Sequence, residues 1–183
     1  MRFLMIAVVV LIAGVVFGQP DARPARVPGQ FLIVPGQGIG EYRLSWSIQQ
    51  FVETLGEPSY VGPSQFKLLE GETQVKVYFW EHSFIEVLTR VDDLGMERVV
   101  AIAIYWHLDD PSVNSRNHLY RDIHGIGLSS TIEEVGQVYG KLYKKESFGG
   151  DAVFRTYASG IVFGYPVMEN PNVAMIGVFI VEK

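Results

Sequence analysis

The feature that most restricts the fold of this chain is a ten-residue pattern that occurs twice, 84 positions apart (47 to 131). Residues Ser47–Gly56 read Ser-Ile-Gln-Gln-Phe-Val-Glu-Thr-Leu-Gly, and Thr131–Gly140 read Thr-Ile-Glu-Glu-Val-Gly-Gln-Val-Tyr-Gly. A Gly-Ile-Gly tripeptide, at 38–40 and at 125–127, introduces each copy. The recurrence predicts two equivalent structural units rather than a long repeat array.

Each copy carries the signals that begin and end a short helix. Ser47 and Thr131 are N-cap residues, and the Gln or Glu three positions later completes a capping box. Gly56 and Gly140 stand where a helix ends in a left-handed residue. Trp46 lies directly before the first cap, which predicts a hydrophobic staple onto the helix.

Alternating apolar and polar residues after each helix predict antiparallel strands joined by hairpin-length loops. The predicted fold is α+β, with two tandem repeats that each contain a short helix followed by an antiparallel sheet of three or more strands. The first repeat unit spans 31–106 and the second 124–183, with a connector at 107–123. The predicted strands are Gln74–Trp80, Ser83–Val91, Arg98–Trp106, Ala152–Tyr157, Ile161–Gly164 and Val173–Val181.

The N-terminal segment resembles an export signal. Arg2 precedes an unbroken apolar run, Phe3–Phe17, and small residues follow at Gly18. Such a run is shorter than the roughly 20 residues that a membrane-spanning helix needs. We therefore expect residues 1–18 to be a cleaved signal peptide, 19–30 to be a Pro-rich linker, and the protein to be periplasmic, secreted or bound in the cell envelope. The alternative is an uncleaved N-terminal helix that anchors a structural envelope protein.

Composition narrows the possible partners. Twenty acidic residues against 15 basic ones give a net charge of −5, which disfavours nucleic acid because phosphates would be repelled. The chain contains no cysteine, so it has neither disulfides nor the acceptor of a bacterial lipid anchor. An exported protein of this kind must be stabilised by its hydrophobic core.

Gly-Ile followed by Leu-x-x-Ser/Thr-Ile-x-Glu/Gln recurs over Ile39–Gly56 and Ile126–Gly140, with the Gly-Ile three residues closer to the helix in the second copy. This pattern resembles the tandem units of the β-lactamase inhibitor protein. It is also similar to the small lipoprotein of the bacterial outer-membrane β-barrel assembly machine. The resemblance implies an exported, non-enzymatic domain that holds another protein on its sheet or helix surface. The acylated cysteine of the lipoprotein and the disulfides of the inhibitor are both missing here.

Catalytic and cofactor motifs are weak. The glycines of Gly36–Gly40 stand seven residues before the helix cap, whereas a dinucleotide fingerprint opens directly into its helix, so we predict a turn there and no nucleotide cofactor. No Gly-x-Ser-x-Gly motif occurs. We predict no cofactor, no metal and no enzyme. The alternative is a small exported hydrolase near His107–His124, whose candidate groups are His107, Asp109, Asp110, His118 and Asp122.

Aromatic and basic residues on the strands give the predicted binding surface, which comprises Lys76, Tyr78, Trp80, Arg155 and Tyr157. Because Val75, Val77 and Phe79 form the alternate face of the first strand, we expect those three to face the helices. The aromatic set would then lie on the opposite sheet face, where Tyr, Trp and Arg dominate binding energies. The predicted function is non-catalytic recognition of another protein or an envelope component through this surface, and the alternative is that two half-sheets pack there.

Overall fold

The computed structural model describes residues 28–63, 75–106, 116–148, 152–167 and 172–181. Helix α1 is Ile48–Leu55, helix α2 is Ile132–Tyr139, and a 3-10 turn covers Gly29–Phe31. A three-stranded antiparallel sheet contains β1 (Ile33–Val34), β2 (Gly38–Ile39) and β3 (Tyr42–Arg43). The strands of the larger sheet are β4 (Tyr60–Pro63), β5 (Val75–Trp80), β6 (Ile85–Val91), β7 (Glu97–Tyr105), β8 (Lys144–Phe148), β9 (Ala152–Tyr157), β10 (Ile161–Pro166) and β11 (Met175–Phe179).

The larger sheet has eight antiparallel strands in the order β4-β5-β6-β7-β11-β10-β9-β8. The prediction of two tandem helix-plus-sheet repeats is therefore wrong, because strands from both parts of the chain belong to one continuous sheet. The strands from the two parts of the chain are joined where β7 pairs with β11, with Ile104 opposite Ile176. Strand β7 is paired along both edges, to β6 on one side and to β11 on the other. Its side chains are apolar along most of its length, which suits a central strand buried on both faces. Side-chain alternation identifies a strand, but it does not specify which strand pairs with it.

The helix signals read from the sequence are confirmed. The Ser47 hydroxyl accepts a hydrogen bond from the Gln50 amide at 3.4 Å, and the Gln50 side chain accepts one from the Ser47 amide at 2.9 Å. The same reciprocal pair joins Thr131 and Glu134, at 3.2 and 2.7 Å. The Trp46 staple is also confirmed, since its ring meets Phe51 edge-on at 5.2 Å.

The second cap gives a testable stability contribution. We expect Thr131→Ala to lower the free energy of unfolding by about 1 kcal/mol, because the Glu134 amide loses the Thr131 hydroxyl that accepts its hydrogen bond. Urea unfolding followed by circular dichroism measures the change. Gln137→Ala, at an exposed position in the middle of α2, is the matched control and is expected to be near neutral. An unchanged midpoint for Thr131→Ala would contradict a structural role for this cap.

Both helices and the small sheet pack against the same side of the eight-stranded sheet, which we call the helix face. Phe51 of α1 and Val135 of α2 are fully buried in this core, together with Ile33 and Ile39 of the small sheet. We call the opposite side of the large sheet the outer face. The outer face carries two apolar clusters, and every buried residue described in them lies on a strand. The first comprises Val77, Leu88, Val100 and Ala101, and the second Ala103, Phe154, Val162 and Met175.

Several predictions fall on residues that the structure does not describe. These are the signal peptide at 1–18, most of the linker at 19–30, and residues 107–115 of the connector. Among the described helices, neither combines the length and apolarity that crossing a bilayer would require.

Candidate functional site

The predicted placement of Tyr78 and Trp80 is wrong, because both rings point to the helix face. Tyr78 is 8% exposed and Trp80 is 0% exposed. The Trp80 indole nitrogen donates to the Gly56 carbonyl at 2.8 Å, and its ring lies 6.2 Å from that of Phe51. Val77 lies on the outer face instead. The alternation in β5 separates two faces correctly, but both are apolar enough to be buried, so it does not say which one meets the helices.

Lys76 and Tyr78 belong to a polar network at the end of this core. The Lys76 ammonium donates to the Tyr78 hydroxyl at 2.6 Å, which in turn donates to the Glu97 carboxylate at 2.9 Å. The Thr89 hydroxyl also donates to Glu97, at 2.6 Å. Burial alone would raise the pKa of Glu97, but the hydrogen bonds from Thr89 and Tyr78 outweigh it and lower that pKa. The network satisfies its own members.

Arg155 and Tyr157 also lie on the helix face, at the other end of the sheet. Tyr157 is 3% exposed and packs on Tyr139 of α2 at 5.2 Å, so its predicted exposure is wrong. The Arg155 guanidinium is half-buried above the ring of Tyr143. Ligand binding by these five residues stays a prediction.

In the alternative hydrolase site near His107–His124, Asp122 and His118 make contacts within the fold. Asp122 is buried and accepts hydrogen bonds from the Ile126 amide at 2.8 Å and the Tyr139 hydroxyl at 2.5 Å. His118 packs edge-on against Trp106 at 4.2 Å. His107, Asp109 and Asp110 lie outside the described residues. Within the described ranges, no three His, Asp or Glu side chains are grouped so that they could hold a metal ion.

The outer face contains a shallow depression that is open to solvent. Small side chains form its floor, because Ala101, Ala103 and Gly177 occupy neighbouring positions of β7 and β11. A methyl group added at Gly177 would lie 2.8 Å from Val162, so glycine is needed for the close packing there. The remaining lining comes from Glu86 and Leu88 of β6, Tyr105 of β7 and Met175 of β11.

Glu86 is the one carboxyl group in this otherwise apolar lining. It lies opposite Ala103 in the β6–β7 ladder, which places Tyr105 diagonally across from it on the same face. Burial raises the pKa of Glu86 to about 7, and a hydrogen bond from the Tyr105 hydroxyl opposes that shift. Burial and the neighbouring Glu86 charge raise the pKa of Tyr105. In the described part of the chain, Glu86 has no ion-pair partner.

This arrangement has two chemical capacities. A carboxyl group that titrates near neutral pH can exchange a proton, and its ionised form in apolar surroundings attracts a cation strongly. A carboxyl group whose pKa is raised mainly by desolvation, in a concave site, is typical of functional positions. The sequence analysis did not single out Glu86, since a lone acid between Ile85 and Val87 is typical of an alternating strand with a solvated face. The sequence feature that could have identified Glu86 is the apolar character of Val77 and Leu88, which lie near it on the outer face.

Comparisons with known proteins give no family. No protein-family model matches the chain, and no curated protein matches it. Among solved structures, the chain is similar to YjgB, a DUF4309 family protein from Bacillus subtilis subsp. subtilis str. 168, with a TM-score of 0.38 and 11% identity. That match covers 72% of this chain and 76% of the other. A likeness at this TM-score assigns neither fold nor function.

Proposed function

We propose that this protein is an exported, non-catalytic binding protein that recognises another protein through the outer face of its eight-stranded sheet. The supporting observation is Glu86, a carboxyl group in an apolar depression with no cationic partner among the described residues. In this proposal the partner supplies a lysine or arginine side chain to Glu86. Export is inferred from the N-terminal segment 1–18.

Charge complementarity favours a cationic partner. An ionised carboxylate in surroundings of low polarity is costly without a counter-charge, and an incoming cation removes that cost while its alkyl stem contacts the apolar walls. Phe79, which meets Tyr105 edge-on at 6.5 Å, adds an aromatic wall beside Glu86. The net charge of −5 also favours encounter with a basic partner.

A matched pair of small probes tests the proposal. N-acetyl-lysine amide and N-acetyl-norleucine amide share the same alkyl chain, but only the first carries an ammonium group. We expect the lysine probe to shift the backbone amide resonances around Glu86, Ala103 and Gly177 in a saturable manner and to lower the pKa of Glu86. We expect the norleucine probe to bind at least about 10-fold more weakly, a difference of about 1.4 kcal/mol.

Variants make this titration specific to the site. Glu86→Gln removes the charge and is expected to abolish the preference for the lysine probe. Glu81→Gln, at an exposed turn after β5, is the control and should preserve the preference. Equal binding of both probes, or a preference that persists in Glu86→Gln, would show that Glu86 does not select a cation and would refute the proposal.

A further inference from the structure

Two cations lie side by side on the helix face at the β8 edge of the sheet. Lys145 and Arg155 are directly opposite in the β8–β9 ladder, so their side chains leave the sheet on the same face. Like charges in this position repel each other. In the part of the chain that the structure describes, neither has a carboxylate within ion-pair distance, whereas the preceding Lys144 is paired with Glu146 at 3.2 Å.

Aromatic rings hold the guanidinium of Arg155 in place. Its central carbon lies 4.5 Å from the ring centre of Tyr143 and 5.5 Å from that of Tyr165. Cation–π contacts of this kind fix the orientation of the planar group without satisfying its N–H donors. Arg155 is therefore positioned more firmly than a freely rotating surface arginine.

The cluster contains a buried polar group whose hydrogen bonding is incomplete. The Tyr165 hydroxyl is buried and has no hydrogen-bond partner. The Arg155 side chain lies within hydrogen-bonding reach of the Tyr157 hydroxyl, so these two groups act on each other. Burial raises the pKa of both tyrosines, although the charge of Arg155 opposes the shift, so both hydroxyls keep their protons at neutral pH. Unsatisfied buried polar groups of this kind point to a ligand, an ion or a water that completes them.

We propose that Arg155 and Lys145 form a binding site for one oxyanion group, a carboxylate or a phosphate. A guanidinium presents paired N–H donors in a plane that matches two oxygens of either group, and the lysine adds a second positive charge. The anion removes the repulsion between the two cations and supplies the missing acceptors. This site lies on the helix face, so it is separate from the Glu86 depression and does not depend on the proposed function.

Titration with inorganic phosphate and with acetate, at constant ionic strength, tests the site. The reporter is the side-chain Nε–H resonance of Arg155, assigned from its loss in Arg155→Lys. Arg98 provides an internal control, because its Nε already donates to Asp92 at 2.5 Å. We expect a saturable shift at Arg155 with at least one anion and no saturable shift at Arg98.

Three variants separate a specific site from general attraction. Arg155→Lys keeps the charge but loses the planar donor pair, so we expect about 10-fold weaker binding. Because this variant lacks the Arg155 Nε–H, its binding is followed through the backbone amide resonances of Tyr143 and Lys145. Lys145→Gln should weaken binding several-fold. Glu133 lies in the first turn of α2, and its negative charge acts on Tyr165, so Glu133→Gln should strengthen anion binding. Unchanged affinity in both Arg155→Lys and Lys145→Gln would overturn the proposal.

The source of the oxyanion is distinguished by further arms of the same experiment. Preference for acetate assigns a carboxylate, and preference for inorganic phosphate assigns a phosphate group. Sedimentation with phosphatidylglycerol vesicles but not with phosphatidylcholine vesicles, lost in Arg155→Gln, assigns a lipid headgroup. If phosphate, acetate and anionic vesicles all leave the Arg155 resonance unchanged, no oxyanion site exists there.

Discussion

Trp80→Ala is expected to lower the free energy of unfolding by about 3–5 kcal/mol, the largest loss among the substitutions considered. The indole is fully buried between Phe51 and Tyr78, with ring centres 6.2 and 6.4 Å away. It also satisfies the Gly56 carbonyl, the group at the end of α1. Removing it leaves a large cavity in the core and an unpaired carbonyl. Chemical denaturation at equilibrium measures the loss.

Two further variants apportion this effect. Trp80→Phe keeps most of the ring but loses the hydrogen bond to Gly56, so we expect a cost of about 1–3 kcal/mol. Leu142→Ala, at a residue that is 93% exposed, is the surface control and should be near neutral. If Trp80→Ala unfolded at the wild-type denaturant concentration, the ring would have to be at the surface, as the sequence first suggested.

Glu86→Gln is expected to make the protein more stable above neutral pH, by up to about 3 kcal/mol. Burial raises the pKa of Glu86 from 4.5 to about 7 in the folded protein. Between these values the folded state binds more protons than the unfolded state, so the stability supplied by the protonated carboxyl falls as pH rises through about 7. Glutamine keeps the shape and the hydrogen-bonding capacity without ionising, so the variant should lose this decline.

Urea unfolding at about pH 5 and about pH 8.5 measures the difference on either side of the transition. The wild type should lose stability between the two conditions, and Glu86→Gln should lose substantially less. Glu81→Gln should decline as the wild type does. If the wild type and Glu86→Gln showed the same decline with pH, Glu86 would not be the buried acid responsible, and its proposed role in binding would also lose support.

Local features of the fold were predictable because they depend on neighbouring residues. The caps at Ser47 and Thr131 need only the residue three positions on, and strand β9 follows from alternation within Ala152–Tyr157. Strand pairing was not predictable, since the β7–β11 ladder joins residues about 70 positions apart. The edge strands β4 and β8 were missed. Tyr60–Pro63 contains Gly and Pro, and Lys144–Phe148 is mostly polar, so neither segment has the composition typical of a strand.

The candidate sites were hidden for a different reason. The sequence analysis assigned Tyr78 and Trp80 to an exposed surface because aromatic residues are common in interfaces, yet large rings are equally suited to a core. Glu86 was overlooked because the apolar residues around its carboxyl group lie on other strands, so they can be recognised only when the strand pairing is known. Arg155 was identified from the sequence, but its surroundings were not. Only the strand register brings Lys145 and the neighbouring tyrosine rings next to it.

The β7–β11 ladder also governs the order in which the protein can be completed during synthesis. Strand β7 can pair with β6 as soon as the preceding hairpin forms, but its other edge stays open until β11, the last described strand in chain order, pairs with it. Until then, a nine-residue strand with buried-type residues from Val99 to Ile104 presents free backbone groups. Such edges promote intermolecular pairing, and contacts so distant in sequence slow folding. We therefore expect the open β7 edge to be the point at which incompletely folded chains pair with one another before β11 docks.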